Sequence, residues 1–385
     1  MPLRRYEQHL AALKSENLYR SIIDKESGQG GTISLKGGSL INFSSNDYLG
    51  LSCNPEIIKR TQKYIETYGT GGGASRLLHG GTLLHAELEA QTAALKQTES
   101  ALTFSSGYVA NVTAIPALAG KNTSIFSDEL NHASIIDGIR LSGSPKHIYH
   151  HNDIDHLSEL MQADKNPFKI VITESVFSMD GDVAPIKSIN ELCKAHNALL
   201  YIDDAHGTGV IGKGRGALAH FGVEPESHII QMGTYSKALG SIGGFIAGAK
   251  VLTSYLINTA RGFIFSTALP AYVAAASIAS VEFIMQNPDI VNRLAENVRL
   301  LKSCLLDIGI TVYFQDSAIV PIYFSTVAET LKASEYLLEK GFRVPAIRPK
   351  TVKIPRLRIS VTALHTGDEL RSLVYALKEA LFLTR

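Results

Sequence analysis

Residues 198–209 read ALLYIDDAHGTG, and residues 228–244 read HIIQMGTYSKALGSIGG. Each begins as an apolar run, stops in polar residues and passes into glycines. An apolar run with no polar alternation suits a strand covered on both faces, the situation of a parallel sheet between helices. The same rhythm extends outward. ALTF, TSIF, FKIVIT and GGFIAG are further apolar runs, and stretches with helical character at 132–141, 153–163 and 185–196 separate them. Strand and helix in alternation predict an α/β fold with a mainly parallel sheet. Ligands in such sheets bind at the carboxyl ends of the strands. Asp203, Asp204 and His206 after one run, and Thr234 and Lys237 after the other, are therefore the first candidates for chemistry.

An acid buried at a strand end needs a cationic or hydrogen-bonded partner. Lys237 is surrounded by Ser, Ala, Leu and Gly with no acid near it in sequence, which suits a desolvated amine used as a nucleophile. Taken singly, these features read better as a capping acid and a solvated lysine. Together, a Schiff-base lysine and an acid that keeps a pyridine nitrogen protonated are what pyridoxal phosphate requires as an electron sink. Three segments complete the pattern. FSSGYVAN places the amides of Gly107 and Tyr108 at a helix N-terminus, a cradle for a phosphate dianion. NHAS places His132 at a helix start after another strand, where its ring can lie against an aromatic cofactor. ESVFSMDGD places Ser178 just beyond the run FKIVIT, within reach of a cofactor oxygen.

Composition narrows the classes further. The 385 residues carry 37 Lys and Arg against 36 Asp and Glu, a net charge of +1, which argues against non-specific attraction to nucleic acid or to an anionic membrane. Only 19% of residues are charged and 45% are hydrophobic, so much surface is expected inside the fold or between subunits. Cys53, Cys193 and Cys304 are odd in number and widely spaced, which gives neither a disulfide framework nor a metal site and fits a cytoplasmic, reducing compartment. The uncharged stretches 100–120 and 262–281 each hold an internal proline and several small polar residues, and read as buried helix and loop, not as membrane spans. The N-terminal segment is charged every few residues and lacks the apolar core of an export signal. Residues 2–24 read as a polar-faced helix. The chain divides into an N-terminal arm (1–40), a large domain (41–288) and a small α+β C-terminal domain (289–385), with the Asn287-Pro288 turn as punctuation. In the last of these, Val291, Leu294, Val298, Leu301 and Leu305 have helical spacing, ITVYF and IVPIYF read as strands, and Leu370, Leu373, Val374, Leu377 and Leu381 mark a final helix.

Two other chemistries fail on context. Gly207, Gly209 and Gly212 satisfy G-x-G-x-x-G, and 207–213 satisfies G-x-x-x-x-G-K. However, Gly214 stands where a P-loop needs Ser or Thr, and DDAH separates the strand from the glycines. His150, His151 and His156 lie in the polar stretch HHNDIDH that opens a helix, which reads as loop and N-cap, not as a metal site. A catalytically silent regulatory subunit is disfavoured because Lys237, Asp203 and His206 are all present.

SSNDYLGL, NHASIIDG, ESVFSMDGDVAP, DDAHGTGVIG, GTYSKALGSIGGF and FIFSTALP, in this order, resemble the pyridoxal phosphate-dependent α-oxoamine synthases from about residue 40 to the C-terminus. The resemblance implies a fold-type-I transferase, with a large domain built on a mostly parallel seven-stranded sheet and a small α+β C-terminal domain. It implies that Lys237 holds the cofactor as a Schiff base and acts as acid and base at the substrate Cα, while Asp203 pairs with the pyridine nitrogen and Asp204 is structural. His206 and Ser178 would bond the phenolic oxygen, and His132 would stack on the ring and help position the acyl thioester. Gly107, Tyr108 and Thr234 would hold the phosphate, with Ser266 and Thr267 supplied by the second subunit of a homodimer. Asn46 would lie near the reacting groups. Arg358 would grip the amino-acid carboxylate, for which a bidentate guanidinium is suited. Arg348, Thr351 and Arg20 would lie near the substrate. Ala271, where a second proline commonly follows FSTALP, would loosen the loop that carries Ser266 and Thr267. The wording is most similar to the alanine-using members. That implies decarboxylative condensation of L-alanine with a pimeloyl thioester, on coenzyme A or an acyl carrier protein, in biotin biosynthesis. Glycine-using and serine-using members share the core motifs.

Overall fold

The computed structural model describes residues 2–312 and 316–384. Its strands, in chain order, are β1 (Thr32–Leu35), β2 (Gly38–Asn42), β3 (Ser100–Phe104), β4 (Thr123–Asp128), β5 (Lys146–Tyr149), β6 (Phe168–Glu174), β7 (Leu199–Asp203), β8 (Ile229–Thr234), β9 (Gly244–Gly248), β10 (Ile319–Tyr323), β11 (Phe342–Arg343), β12 (Ala346–Ile347) and β13 (Arg356–Ser360). Seven form the central sheet in the order β3-β9-β8-β7-β6-β4-β5. The pairings β5–β4, β4–β6, β6–β7 and β7–β8 are parallel, and β9 runs antiparallel to both neighbours, so β3 returns to the common direction. This is the mostly parallel seven-stranded sheet that the resemblance implies.

The unbroken apolar runs follow from two cores, one on each face. Ile170, Ile172, Tyr201, Ile230 and Ile246 pack with Ile115, Ile135 and Ile139 from the helices 107–118 and 133–142. Their neighbours along the strands, Val171, Leu200, Ile202 and Phe245, face the other way into a larger core that also takes Ile189, Leu218 and Ile278. Successive strand residues point to opposite faces, so a strand buried on both sides is apolar along most of its length, and the exceptions, such as Gln231 donating to Lys96 O, are hydrogen-bonded.

The rest of the chain forms two small sheets, β1-β2-β11 and β10-β13-β12. β2 is antiparallel to β1 and parallel to β11, which ties residues 32–42 to residues 342–343. The expected boundary at residue 40 falls inside β2, and we propose that this strand pair is organised with the C-terminal unit. Asn287 and Pro288 separate the helices Ala271–Gln286 and Asp289–Asp307. The helix expected over 2–24 ends at Ser15, because Asn17 adopts a left-handed conformation (φ 57°) and Leu18 and Tyr19 both donate back to Leu13 O. Residues 310–312 of the expected strand ITVYF have no regular structure, and its remainder lies outside the described residues. Ala271 is buried as the first residue of its helix. Among the described residues, no helix is long and apolar enough to cross a membrane.

Candidate active site

The parallel strands end on one side of the sheet, and their last residues and following turns enclose a cavity of about 270 Å³. Ser106, Gly107 and Tyr108 come to it from the turn after β3, His132 and Ser134 from the turn after β4, and Glu174 from the end of β6. Asp203 ends β7 and His206 follows it, and Thr234 ends β8 with Ser236 and Lys237 after it. Seven of the residues singled out in the sequence thus share one cavity: Gly107, Tyr108, His132, Asp203, His206, Thr234 and Lys237.

At one end stands the N-terminus of the 107–118 helix. Ser106 caps it by accepting the Val109 amide (3.1 Å), and helix geometry leaves the first amides without intrahelical acceptors. Glycine is required on the facing strand, since a β-carbon on Gly244 would lie 2.6 Å from Ser106 O and 2.7 Å from Gly107 Cα. Thr234 Oγ1 donates to Gly243 O (2.6 Å) and contacts Ser236 Oγ (2.7 Å), fixing the rim.

Deeper in, Asp203 is nearly buried and accepts two hydrogen bonds, from Asn111 Nδ2 (2.7 Å) and the Ala205 amide (3.0 Å). Asn111 also donates to Ser134 Oγ (2.9 Å) and accepts from the Tyr201 hydroxyl (2.8 Å). Ser134 Oγ in turn contacts His132 Nδ1 (2.8 Å), and that nitrogen accepts the Ser134 amide as the helix cap. A continuous chain of bonds therefore runs from the acid to the histidine ring. With Nδ1 occupied as an acceptor, the ring hydrogen of neutral His132 resides on Nε2. Burial holds His132 below the ordinary histidine range, reinforced by Lys237 and opposed by Asp203.

Lys237 is half-buried, and desolvation brings its amine down to about 8 against the pull of Asp203 and Glu174. Glu174 and Asp203 are register partners on adjacent parallel strands. Burial, aided by the Asp203 charge, drives Glu174 well above the usual carboxylate range and favours its neutral form. His206 is kept well below the usual histidine range by burial and by the positive charges of Lys237 and Arg358. Its Nδ1 lies 2.7 Å from the Tyr48 hydroxyl.

Asp204, one residue from Asp203, points away into a buried ion pair. It accepts from Lys96 Nζ (2.6 Å), Thr208 Oγ1 (2.8 Å) and the Ala217 amide (3.2 Å). Its carboxylate occupies the space that β-carbons on Gly207 and Gly216 would fill, at 2.1 and 1.7 Å. Of the glycines that imitate a nucleotide loop, Gly207 wraps this acid, whereas β-carbons on Gly209 and Gly212 would meet Ala238 Cβ (2.5 Å) and His220 N (2.7 Å).

The remaining predicted residues lie outside the cavity. Ser178 sits on the loop after β6, and its carbonyl accepts from Arg358 Nε (2.6 Å). Arg356, two residues along β13, donates to Met179 O (3.3 Å) and pairs with Asp180, so two arginines of one strand hook the same loop. Asn46 Oδ1 accepts from Arg358. Arg20 donates to Thr351 Oγ1 (2.9 Å), and Arg348 donates to Asn17 O (2.6 Å), joining the arm to the 348–351 loop on the exposed surface. Ser266 and Thr267 lie elsewhere on this chain, beside Arg76 and His85, with Thr267 bridged to Ser75. His151 is wedged between Asp128 (2.9 Å) and Asp182 (2.7 Å), and Asp153 caps the following helix. Sequence reading missed Asn111, Ser134, Glu174 and Tyr48. Glu174 carried a usable signal, because FKIVITE ends in an acid as LLYID does.

A lysine and a carboxylate thus stand at the ends of parallel strands, facing a helix N-terminus across one cavity of an α/β fold. The chain belongs to the class I and II aminotransferase family, whose model matches residues 39–377, and within it to the pyridoxal phosphate-dependent α-oxoamine synthases, which are acyltransferases. The 8-amino-7-oxononanoate synthase of Citrifermentans bemidjiense is 43% identical over 96% of each chain. A Thermodesulfovibrio yellowstonii relative given the same name provisionally is 49% identical over 97% of this chain and 96% of its own. The serine palmitoyltransferase of Sphingomonas wittichii superposes with a TM-score of 0.94 at 28% identity, covering 99% of this chain and 98% of that one.

Proposed function

We propose that this enzyme condenses L-alanine with a pimeloyl thioester, on coenzyme A or an acyl carrier protein, to give 8-amino-7-oxononanoate, carbon dioxide and the free thiol, a step of biotin biosynthesis carried out in the cytoplasm. The observation that carries the chemistry is the Lys237 amine, lowered to about 8 in one cavity with Asp203 and the helix N-terminus. The choice of substrates is supported by the names of full-length relatives at 43% and 49% identity, against 28% for the serine palmitoyltransferase.

The residues fit pyridoxal phosphate. The amides of Gly107 and Tyr108 and the Ser106 hydroxyl suit a phosphate, with Thr234 and Ser236 closing the rim. Asp203, ordered by two donors, suits a protonated pyridine nitrogen, and His206 suits a phenolic oxygen, to which Ser178 would have to reach from the loop beside the cavity. When bound, the cofactor supplies a ring that accepts the electron pair left at the substrate Cα. Lys237 is the amine that would hold the cofactor's carbonyl carbon and, once free, would take the Cα proton and later return one. A lysine lowered to about 8 is a fraction neutral at pH 7, which a solvated lysine is not. Asp203, held in position by Asn111, would pair with the ring nitrogen. His132, fixed by Ser134, presents Nε2–H to the cavity for the acyl carbonyl. Arg358 would bind the amino-acid carboxylate, and Arg20, Arg348 and Thr351 would lie near the substrate.

The site is completed by a second copy of the chain. Ser266 and Thr267 would reach the partner's phosphate, and Leu77, Leu78, Leu83 and Phe265, which are 50, 72, 82 and 71% exposed, supply apolar surface for that contact. The reading is tested by a matrix of alanine, glycine and serine against pimeloyl, acetyl and palmitoyl thioesters, scored for carbon dioxide release. Alanine with pimeloyl thioester is expected to give the highest kcat/KM. A maximum at serine with palmitoyl thioester would replace the proposal with the serine-using reaction.

A further inference from the structure

Arg358 is 5% exposed, and every hydrogen of its guanidinium is already donated. Nε donates to Ser178 O (2.6 Å). Nη1 donates to Asn46 Oδ1 (3.2 Å) and Ser360 Oγ (2.8 Å), and Nη2 to Asn46 Oδ1 (3.2 Å) and Tyr48 Oη (3.3 Å). One acceptor atom, Asn46 Oδ1, spans both terminal nitrogens. That is the fork of the guanidinium, the position a carboxylate takes in a bidentate pair. Both Nη atoms donate to it, so an oxygen is required there.

A buried arginine with a full set of acceptors can bind an anion only by releasing a partner. Ser178 O engages Nε, away from the fork. Ser360 is two residues along the same strand, and the Tyr48 hydroxyl is committed to His206. Asn46 is free to leave, because it lies half-buried in the segment after β2, and among the described residues its amide nitrogen donates no hydrogen bond. We propose that Asn46 is a placeholder whose amide oxygen occupies the carboxylate position on Arg358 until the α-carboxylate of the amino-acid substrate displaces it. The inference rests on the reading of Arg358 as the carboxylate-binding residue. Between turnovers Asn46 spares the enzyme an unpaired buried cation, and a charged carboxylate, bonding more strongly than a neutral amide, then displaces it. Amino-acid affinity is thereby lowered by the fraction of time the fork is filled.

The test uses the holoenzyme and measures the alanine dissociation constant from the change in cofactor absorbance for wild type, Asn46→Ala, Asn46→Asp and Arg358→Gln, each shown first to hold its full complement of cofactor. Emptying the fork with Asn46→Ala is expected to tighten alanine binding by roughly threefold or more. Placing a charged competitor there with Asn46→Asp is expected to weaken it by roughly tenfold or more. A crystal structure of the wild-type holoenzyme with alanine is expected to show Asn46 Oδ1 beyond hydrogen-bond range of both Nη atoms. Unchanged or weaker binding in Asn46→Ala, or an alanine complex in which Asn46 still bridges the fork, overturns the placeholder. Should Asn46→Ala not fold, the alanine complex decides alone. Arg358→Gln tests the underlying reading separately: alanine binding equal to wild type would remove Arg358 from the carboxylate site whatever Asn46 does.

Discussion

His151 offers a pH test in which other groups cancel. Its ring nitrogens reach Asp128, whose side chain is fully buried, and Asp182, and its own side chain is 23% exposed. Desolvation opposes its charge, but hydrogen bonds and charge from the two acids outweigh it and raise the imidazole from 6.5 to about 10. A histidine raised in the folded state binds its proton more tightly there than in the unfolded chain. Its contribution is therefore full below pH 6.5 and is lost as the pH climbs through the folded value near 10. The full contribution is on the order of 3–5 kcal/mol. Between pH 7 and 9 the folded state carries about one more proton at this site than the unfolded state, so the contribution falls by about 1.4 kcal/mol per pH unit. The assay is urea unfolding of cofactor-free wild type and His151→Gln at matched protein concentration across pH 6 to 10. Lys237 and the other groups remote from His151 are common to both proteins, so the difference reports on His151 and the two acids that hold it. It is expected to be largest near pH 6 and to shrink by about 1.4 kcal/mol per unit above pH 7. A difference constant across the range would refute the imidazolium between two carboxylates.

Removing Lys96 leaves Asp204 buried without its cation, so Lys96→Met is expected to cost about 3–5 kcal/mol in urea unfolding, with Lys96→Met/Asp204→Asn losing less than the sum of the single changes. Gly216→Ala combines a φ of +93° with a β-carbon 1.7 Å from Asp204 Oδ2, whereas Gly222→Ala has a φ of +62° and open space. The first is expected to cost more than about 3 kcal/mol and the second about 1–2, measured as shifts in the urea midpoint. Lys237→Ala is expected to abolish turnover and the borohydride-dependent attachment of the cofactor to the chain, read by intact mass, while the variant still binds the cofactor reversibly.

Asp203, His206 and Lys237 were legible because a strand buried on both faces advertises its end: the apolar run stops where the polar chemistry starts. The same rule would have exposed Glu174, which closes β6 in register with Asp203. Asn111 was out of reach, since its role depends on a contact with a residue 92 positions away. β5 was missed because it sits at the sheet edge with mostly exposed side chains, so it lacks the apolar run that marked its neighbours. The pairing of β2 with β11 joins segments about 300 residues apart, and no local pattern encodes it. The N-terminal helix was drawn too long because apolar spacing continues past Ser15, while the residue that ends it, Asn17, does so by a backbone conformation.

The two hooks of β13 act as a strut. Arg356 and Arg358 pin the backbone at Ser178 and Met179 from a strand in a different sheet, so displacement of one sheet relative to the other would drag that loop along. Ser178 and the guanidinium fork are thereby kept at a fixed spacing, as two points on one lever. Any opening of the site must then yield elsewhere. The weakest tie is the exposed strap of Arg20 to Thr351 and Arg348 to Asn17, where hydrogen bonds compete with water at both ends.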